Sequence, residues 1–327
     1  MTDSRRYDLP IPFGWYAVSL SDEIAAGEVK TLRYFDRDII LFRTESGAAS
    51  VLDAYCPHLG AHLGHGGKVQ GESIACPFHG WQFNGDGMCT KVPYATRMPP
   101  RVVDRPCIRH YYAREDNGAI WAWYHPRGDA PHWELDHVPE MSDEQYWVNQ
   151  EVREWFVDCH LQDTNENAVD KAHFAYVHIS ESVPEGQVTI DGHRRFTELA
   201  SRTLAHDASG QTIEGEYIDT SFISKSFGPG FTLQQFMGVT NSVMMGTLTP
   251  IHRQRMHMRF VFRFPELTSD LARVFNQGYI DHVCQQVEQD IMIWNHKRYE
   301  PDPILCDGDG PIAQFRKWFS RFYADDA

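Results

Sequence analysis

The sequence predicts an α+β fold of two domains, a small antiparallel β domain and a larger domain in which a curved antiparallel sheet packs against a long helix. Three observations favour this fold. Short strand-like runs with turn residues between them fill residues 15–124, strand patterns return between about 187 and 265, and one helical pattern covers about 269–296. A chain of 327 residues is long enough for two such domains.

The first domain is expected at 15–125, after an N-terminal segment at 1–14. Turn dipeptides such as Ser46-Gly47 and Asn117-Gly118 separate its strand-like runs, as is typical of antiparallel connections. The runs cover residues 31–35, 38–44, 49–54 and 119–124.

A segment rich in Pro, Gly, Asp and His, at 126–146, is expected to link this domain to a second one at 147–327. In the run 255–264, apolar and polar residues alternate, which predicts a half-buried strand. The other predicted elements are a helical segment around 165–176, strands at 214–223, 231–240 and 243–251, and a C-terminal helix at 312–322.

The composition excludes several classes of partner. A net charge of −15 and a pI near 5.5 disfavour nucleic acids and anionic membranes, because neither surface attracts an acidic protein. The chain has no run of about eighteen apolar residues, so no membrane span is expected. Its N-terminus lacks the apolar core of a signal peptide, and its seven irregularly spaced cysteines predict no disulfide framework. A cytoplasmic protein is therefore expected.

Two segments, Cys56-Pro-His58 and Cys76-Pro-Phe-His79, form the most specific motif of the chain. Interleaved thiolates and imidazoles suit a Rieske-type [2Fe–2S] cluster, in which two thiolates hold one iron and two imidazoles hold the other. Neutral imidazole raises the potential of such a cluster to roughly −150 to +300 mV, against roughly −400 mV for plant-type ferredoxins. A structural zinc site is the alternative, but its spacings usually place the cysteines together before the histidines.

A second candidate metal site begins at Asp170-x-x-His173, where the two side chains are expected to share one face of a helix, and continues to His178. Two imidazoles are two-thirds of the 2-His-1-carboxylate triad that holds Fe(II) and leaves positions open for O₂ and substrate.

The third ligand is predicted from helix geometry. At about 100° per residue, Asp290 falls about 20° from Val283, at the edge of an apolar stripe of the long helix, whereas Glu288 projects to the opposite side. An unpaired carboxylate there would be unfavourable without a metal or a partner. The alternative is a buried Asp–Arg pair. The stripe consists of Val283, Val287, Ile291 and Trp294.

Asp170 is assigned to a relay between metal sites. A carboxylate that is hydrogen-bonded to a metal-bound imidazole orients the ring, and this one could also reach a cluster-bound imidazole of a second subunit. The alternative is an ordinary acidic residue at a helix N-terminus.

With these residues, the chain resembles the oxygenase component of Rieske non-haem iron oxygenases over essentially its whole length, and most closely the 3-ketosteroid 9α-hydroxylase oxygenases. The resemblance implies an N-terminal Rieske domain, a C-terminal helix-grip (START-like) catalytic domain and a head-to-tail homotrimer. The segments that carry it are 51–60, 75–81 with 92–95, 167–178, and 288–294 with 305–306 and 309–311.

The resemblance also implies the cofactors and partners. These are a Rieske [2Fe–2S] cluster, a mononuclear Fe(II), O₂ as co-substrate, and a separate NAD(P)H-dependent reductase with flavin and iron–sulfur centres, with a ferredoxin as a further carrier in some systems. The expected reaction is hydroxylation of a steroid or a similar polycyclic molecule. By position, Cys56, His58, Cys76 and His79 bind the cluster, His173, His178 and Asp290 bind the iron, and Asp170 joins subunits.

Other functions stay open. Leu59 replaces the Arg usual in aromatic-ring dioxygenases, but Gly80 is what those enzymes often have. Sterol 7-desaturases share a region like Ile293-Trp-Asn295 with Lys297-Arg298. A stand-alone Rieske electron-transfer protein and a zinc-binding interaction protein are alternatives of a different class.

Substrate contacts are expected from large apolar side chains, since methionine and aromatic residues suit a large apolar ligand. Ordinary core packing is the alternative for each of them. The candidates are Phe231, Met237, Val239, Met245 and Trp294.

Overall fold

In this computed structural model, residues 6–142, 149–178, 185–206, 212–237, 242–265 and 270–324 are described. They divide into two compact units. One unit comprises Phe13–His137 with Thr249–His252, and the other comprises Met1–Pro12, Val138–Leu248 and Arg253–Ala327. Antiparallel sheets with few helices confirm the predicted α+β class. Among the described residues, no helix combines the length and the apolar character that a membrane span requires.

The unit built on Phe13–His137 contains three antiparallel sheets. Its strands are β1 (Gly14–Leu20), β2 (Val29–Tyr34), β3 (Arg37–Arg43), β4 (Ala49–Asp53), β5 (Lys68–Gln70), β6 (Ser73–Ala75), β7 (Gln82–Asn84), β8 (Cys89–Lys91), β9 (His110–Tyr111), β10 (Ala113–Asp116) and β11 (Ala119–Tyr124). The sheets have the orders β1-β11-β10, β2-β3-β4-β9 and β5-β6-β7-β8. The four predicted strands of this region are therefore present, with ends that differ by at most two residues.

The two cysteine–histidine segments lie in loops of this unit, one between β4 and β5 and the other between β6 and β7. The hydrophobic core beneath them includes Cys56 and Cys76 themselves. Burial of several large apolar side chains, each worth roughly 1.5–3 kcal/mol, holds both loops on one framework. The fully buried members of this core are Ile40, Phe42, Leu52, Ala54, Leu63, Ile74 and Phe83.

Within the described residues, the other unit contains one seven-stranded antiparallel sheet in the order β12-β18-β17-β16-β15-β14-β13, with five α-helices. Its elements are α1 (Pro139–Ser142), β12 (Asn149–Val157), α2 (Leu161–Glu166), α3 (Ala172–Tyr176), β13 (Glu185–Asp191), β14 (Arg194–His206), β15 (Thr212–Phe227), β16 (Phe231–Met237), β17 (Ser242–His252), β18 (Arg255–Phe264), α4 (Asp270–Trp294) and α5 (Ile312–Phe319). β17 extends into the short segment Thr249–His252 that clusters with the first unit.

The long helix α4 packs against one face of this sheet. Val283 of α4 forms a buried cluster with Met244 of β17 and Phe262 of β18. The ring of Phe236 on β16 lies 5.1 Å from the ring of Tyr279 on α4. These contacts identify the side of each strand that faces the helix.

The opposite face of the sheet contacts α1. Gln235, which follows Gln234 on β16, donates a hydrogen bond to the Glu140 carboxylate, and Arg263, which follows Phe262 on β18, donates to the carbonyl of Met141. Because side chains alternate along a strand, these contacts lie on the side away from α4.

Three of the four residues of the stripe predicted on α4 are buried, and Ile291 is half-buried. Val283 and Val287 are each 8% exposed, and Asp290 and Trp294 are each 7% exposed, whereas Glu288 is exposed. An acidic side chain is therefore held on a core-facing surface of the helix.

The single helical segment predicted around 165–176 is wrong in detail, since α2 ends at Glu166 and α3 begins at Ala172. The side chain of Asp170 accepts hydrogen bonds from the backbone N–H groups of Ala172 and His173, which begins a new helix instead of continuing the old one. Asp170 and His173 therefore do not share a face of one helix. The strand β12 was not expected, and the end of the run predicted at 231–240 lies outside the described residues.

Candidate metal centres

The two cysteine–histidine loops have the same backbone turn. The N–H of Gly60 donates to the carbonyl of Cys56 at 2.9 Å, and the N–H of Gly80 donates to that of Cys76 at 3.0 Å. The φ angles of Gly60 and Gly80 are +77° and +72°, in the left-handed region that favours glycine. Each turn brings a cysteine and a histidine to the same side of its loop.

The four predicted cluster ligands lie together at the ends of these turns. Cys56 and Cys76 are 2% and 4% exposed, and the rings of His58 and His79 are 4.8 Å apart at 74° to each other. Burial, aided by the nearby Cys76 thiol and opposed by the backbone N–H of His58, raises the pKa of Cys56 to about 12. Such a thiol ligates a metal only after losing its proton, so cluster binding must supply the stabilisation.

One unsatisfied atom supports a bound group. His79 Nδ1 is buried and has no hydrogen-bond partner among the described residues. Buried polar atoms are normally paired, so an orphaned imidazole nitrogen beside two buried thiols fits a metal ligand. Trp81 stacks on His58 at 4.7 Å and donates its indole N–H to the Tyr94 hydroxyl, which fixes the ring of His58. The donor set fits a [2Fe–2S] cluster with two thiolates and two imidazoles.

The second centre brings together His173, His178 and Asp290. Each offers one ligand atom, and these three atoms all lie within 4.8 Å of one another. His178 Nε2 lies 3.4 Å from Asp290 Oδ2, and the rings of His173 and His178 are 5.1 Å apart. Two imidazoles and one carboxylate so placed fit a mononuclear Fe(II) site held on one side.

Hydrogen bonds fix which nitrogen each histidine presents. His173 Nδ1 donates to the carbonyl of Asp170 at 2.6 Å, and His178 Nδ1 donates to the side-chain oxygen of Gln289 at 3.1 Å. Both acceptors can only accept, so both rings carry a proton on Nδ1 and direct Nε2 towards the centre. This is the usual arrangement of histidine ligands in metal sites.

The surroundings move the pKa values of these two histidines apart. Burial lowers the pKa of His173, and the charge of Asp290 offsets only part of that effect. Burial alone would also lower the pKa of His178, but hydrogen bonds to Asp290 and Gln289 outweigh it and leave the pKa raised. The neutral form, which ligates metal, is therefore favoured most clearly at His173.

Asn167 is a site residue that the sequence reasoning missed. Its side-chain N–H₂ group lies 3.1 Å from His173 Nε2 and 3.0 Å from Asp290 Oδ2, between two ligand atoms. It lies in the turn between α2 and α3, three residues before Asp170. Its only sequence signal is an amide residue immediately before the ligand segment.

Asp170 contacts the centre through its backbone rather than its carboxylate. Its carbonyl holds His173 Nδ1, while Oδ1 accepts from the N–H groups of Ala172 and His173 at 3.1 and 3.3 Å. The side chain is 37% exposed. Within one chain, the contacts of Asp170 are therefore those of an acidic residue at a helix N-terminus, and its carboxylate is accessible to solvent.

The predicted pocket residues differ in their placement. Trp294 is buried on the α4 stripe. Phe231 and Met245 are fully buried, but the register places Phe231 opposite Thr247 and Leu233 opposite Met245, on the sheet face away from Met244 and α4. They therefore do not line the space between the sheet and α4, because their strands present the next residue to that side. The Met237 side chain and Val239 lie outside the described residues.

A further group of possible metal ligands lies in the first unit, where His125, Asp129 and His132 offer atoms within 4.8 Å of one another. His125 is buried, and the other two are exposed. No sequence motif predicted this group.

Two profiles of known families match the chain. The Rieske [2Fe–2S] domain matches residues 14–108, and the 3-ketosteroid 9α-hydroxylase C-terminal domain matches residues 122–323. These ranges contain all the predicted cluster ligands and all the predicted iron ligands, respectively.

Curated relatives cover almost the whole chain. Cholesterol 7-desaturase nvd 1 of Ciona intestinalis is 31% identical over 98% of this chain and 71% of its own length. The oxygenase component of a 3-ketosteroid-9-alpha-monooxygenase of Rhodococcus rhodochrous is 31% identical over 95% of this chain and 84% of its own.

Solved structures share the fold. Dicamba monooxygenase bound to dicamba superposes with a TM-score of 0.71 at 18% identity and covers 98% of both chains. NdmA of Pseudomonas putida CBB5 with caffeine superposes with a TM-score of 0.74 at 16% identity and covers 93% of this chain and 89% of its own.

Proposed function

This chain belongs to the Rieske oxygenases whose C-terminal part is the 3-ketosteroid 9α-hydroxylase C-terminal domain, and we propose that it hydroxylates a steroid or steroid-like polycyclic substrate. It is a terminal oxygenase component, which uses a Rieske [2Fe–2S] cluster, a mononuclear iron and O₂ and depends on a separate reductase. The electron-carrier and zinc-protein alternatives do not account for the second matched domain.

The convergence of His173, His178 and Asp290 carries the proposal. Fe(II) bound there supplies O₂ activation. The protein holds both Nδ1 protons away from the centre, keeps a carboxylate ligand on a buried helix face, and shields all three ligand side chains from most solvent contact. Cys56, His58, Cys76 and His79 are proposed as cluster ligands on the same kind of argument.

A head-to-tail homotrimer is proposed for electron delivery, with the cluster of one subunit serving the iron of the next. Apolar side chains beside the cluster loops are exposed, with Leu59 at 64%, Phe78 at 62% and Tyr94 at 60%. Exposed apolar groups clustered at one place mark interaction surfaces. The solvent-accessible carboxylate of Asp170 is proposed to reach the partner subunit's cluster-bound imidazole, while its carbonyl holds His173. A ferredoxin between reductase and cluster stays a prediction.

The steroid class rests on the relatives and on the sheet face that packs against α4. Phe260 lies on that face and is half-buried, and it replaces Phe231 and Met245 as the proposed contact for an apolar ring system. Domain limits at 15–125 and 147–327, a linker at 126–146 and a cytoplasmic location stay predictions as well.

Desaturation of a sterol is the second candidate, because cholesterol 7-desaturases match the chain at the same identity as the steroid monooxygenases. The two reactions differ in product mass, since hydroxylation adds one oxygen atom and desaturation removes two hydrogen atoms.

The test is turnover of the protein loaded with iron and cluster, a surrogate reductase and NADH, on 4-en-3-one steroids, sterols and polycyclic aromatics. We expect O₂-dependent formation of a mono-hydroxylated steroid and its loss in Asp290→Ala, with the cluster EPR signal retained. Turnover of aromatic substrates alone, to cis-diols, would refute the steroid assignment. A desaturated sterol as sole product would select the second candidate.

A further inference from the structure

A polar patch lies within the sheet face that packs against α4. Its members occupy two cross-strand rows of β14, β15 and β16, and those rows lie on the α4 side because Phe236, two residues beyond Gln234, contacts Tyr279. All are buried except Gln234, which is half-buried. The rows are Arg195–Ser226–Thr232 and Thr197–Ser224–Gln234.

Arg195 is the charged group of this patch and is 0% exposed. Its guanidinium donates to the hydroxyls of Thr197 and Ser226, while its Nε has no partner. No carboxylate of the described residues pairs with it. Burial lowers the pKa of Arg195 to about 10, which still leaves it charged at neutral pH. A desolvated cation held only by neutral hydroxyls is poorly compensated.

Two more polar atoms without partners lie in the neighbouring cross-strand row. Ser224 Oγ and Gln234 Oε1 are buried, and neither has a hydrogen-bond partner among the residues that the structure describes. Buried polar atoms are normally paired with protein or with a bound group. Three orphaned polar atoms on neighbouring strands therefore indicate a binding position for a polar group.

The same face becomes apolar towards β18. A Cβ on Gly246 would lie 3.5 Å from the Phe260 ring, so the row that begins at Arg195 continues through Gly246 to Phe260. Five strands span roughly 19 Å at their usual spacing. The face thus offers an apolar area at one end and a buried cation at the other.

We infer that Arg195 binds a carboxylate carried by the substrate, whose ring system extends along the same sheet face towards the half-buried Phe260. The planar fork of a guanidinium matches the two oxygens of a carboxylate, and a buried pair of this kind is both specific and strong. The inference rests on the proposed function and narrows its substrate class to steroid-like polycyclic acids. A ketone or hydroxyl oxygen at this position is the competing outcome.

The test compares a 4-en-3-one steroid whose side chain ends in a carboxylate with the methyl ester of the same molecule. Dissociation constants are measured by calorimetry on protein loaded with cluster and iron, without a reductase. The variants are Arg195→Met, Arg195→Lys and the control Arg194→Met, whose side chain lies on the other face of β14.

We expect the wild type to bind the acid at least about 30-fold more tightly than the ester, equivalent to about 2 kcal/mol. Arg195→Met should bring the ratio near one, Arg195→Lys should retain part of it, and Arg194→Met should retain all of it. Because Arg195→Met removes a buried charge, its melting temperature without ligand should equal or exceed that of the wild type.

Equal binding of acid and ester by the wild type, no binding of the acid, or an undiminished ratio in Arg195→Met would overturn the inference. The inference would also be overturned if Arg195→Met had a lower melting temperature and lost acid and ester binding equally, because Arg195 would then have only a structural role. Failure of the proposed function is separate. It would appear as no O₂-dependent product from either steroid with reductase present, whatever the binding ratio.

Discussion

Gln289 offers a sharp test of the iron centre because it acts on the metal only through His178. Its side-chain oxygen accepts from His178 Nδ1 at 3.1 Å, and the opposite nitrogen of that ring lies 3.4 Å from Asp290. In Gln289→Leu the ring loses the partner that fixes its protonated nitrogen. A hydrogen bond between uncharged groups contributes about 0.5–1.5 kcal/mol, and loss of such a partner lowers metal affinity about 10- to 100-fold.

We expect a loss of about 10-fold, near the lower limit, because the lost hydrogen bond joins two uncharged groups. The measurement is competition for Fe(II) or Co(II) between a chromophoric chelator and the cluster-loaded protein. Glu288→Leu is the control, since the neighbouring residue is exposed and lies on another side of α4. Unchanged affinity in Gln289→Leu, or an equal loss in Glu288→Leu, would refute the assigned orientation of His178.

Three further outcomes are expected. Gly80→Ala should lower the cluster content of the protein, measured as visible absorbance and as iron per protein. Gly80 has a φ of +72°, and a Cβ at this position would lie 3.1 Å from Pro93. The control Gly27→Ala is also at positive φ but has nothing within 4 Å, so it should retain the cluster. Asp170→Asn should keep both metals yet lose product formation coupled to NADH oxidation, and normal coupling would remove its carboxylate from the relay. Gly246→Ala should lower the free energy of unfolding by about 1–3 kcal/mol, because its Cβ would lie 2.4 Å from Thr232 Oγ1. The control Gly278→Ala, at an exposed position of α4, should raise that free energy by up to about 1 kcal/mol. Equal melting temperatures of the two variants would contradict the tight packing at Gly246.

The parts of the site that depend on local spacing were predictable from sequence. Each of the two cysteine–histidine segments contains its predicted ligands within four residues, so the motif is recognisable locally. The burial of Asp290 follows from the 3.6-residue period of α4. The sequence does not show which side of its strand Met245 occupies, and the reason is physical. The described part of β17 from Ser242 to Pro250 is buried on both faces, so no polar alternation shows which side faces the helix.

Other site residues became visible only from tertiary contacts. Asn167 and Gln289 are ordinary polar residues in sequence, and their importance comes from atoms that are distant along the chain, such as Asp290 for Asn167 and His178 for Gln289. In sequence, Arg195 also resembles a surface arginine beside Arg194, and its burial is evident only in the folded sheet. The break between α2 and α3 was missed because the capping role of Asp170 competes with its helical spacing.

The iron ligands and the patch around Arg195 come from different parts of the catalytic unit. His173 and His178 belong to the α3 segment and Asp290 to α4, whereas Arg195 and its neighbours belong to β14, β15 and β16. Substitutions in the strands can therefore retarget the enzyme to new molecules while oxygen chemistry is inherited unchanged. Descendants of one ancestor could diversify in this way, and directed evolution aimed at new specificity should randomise β14 to β16 first.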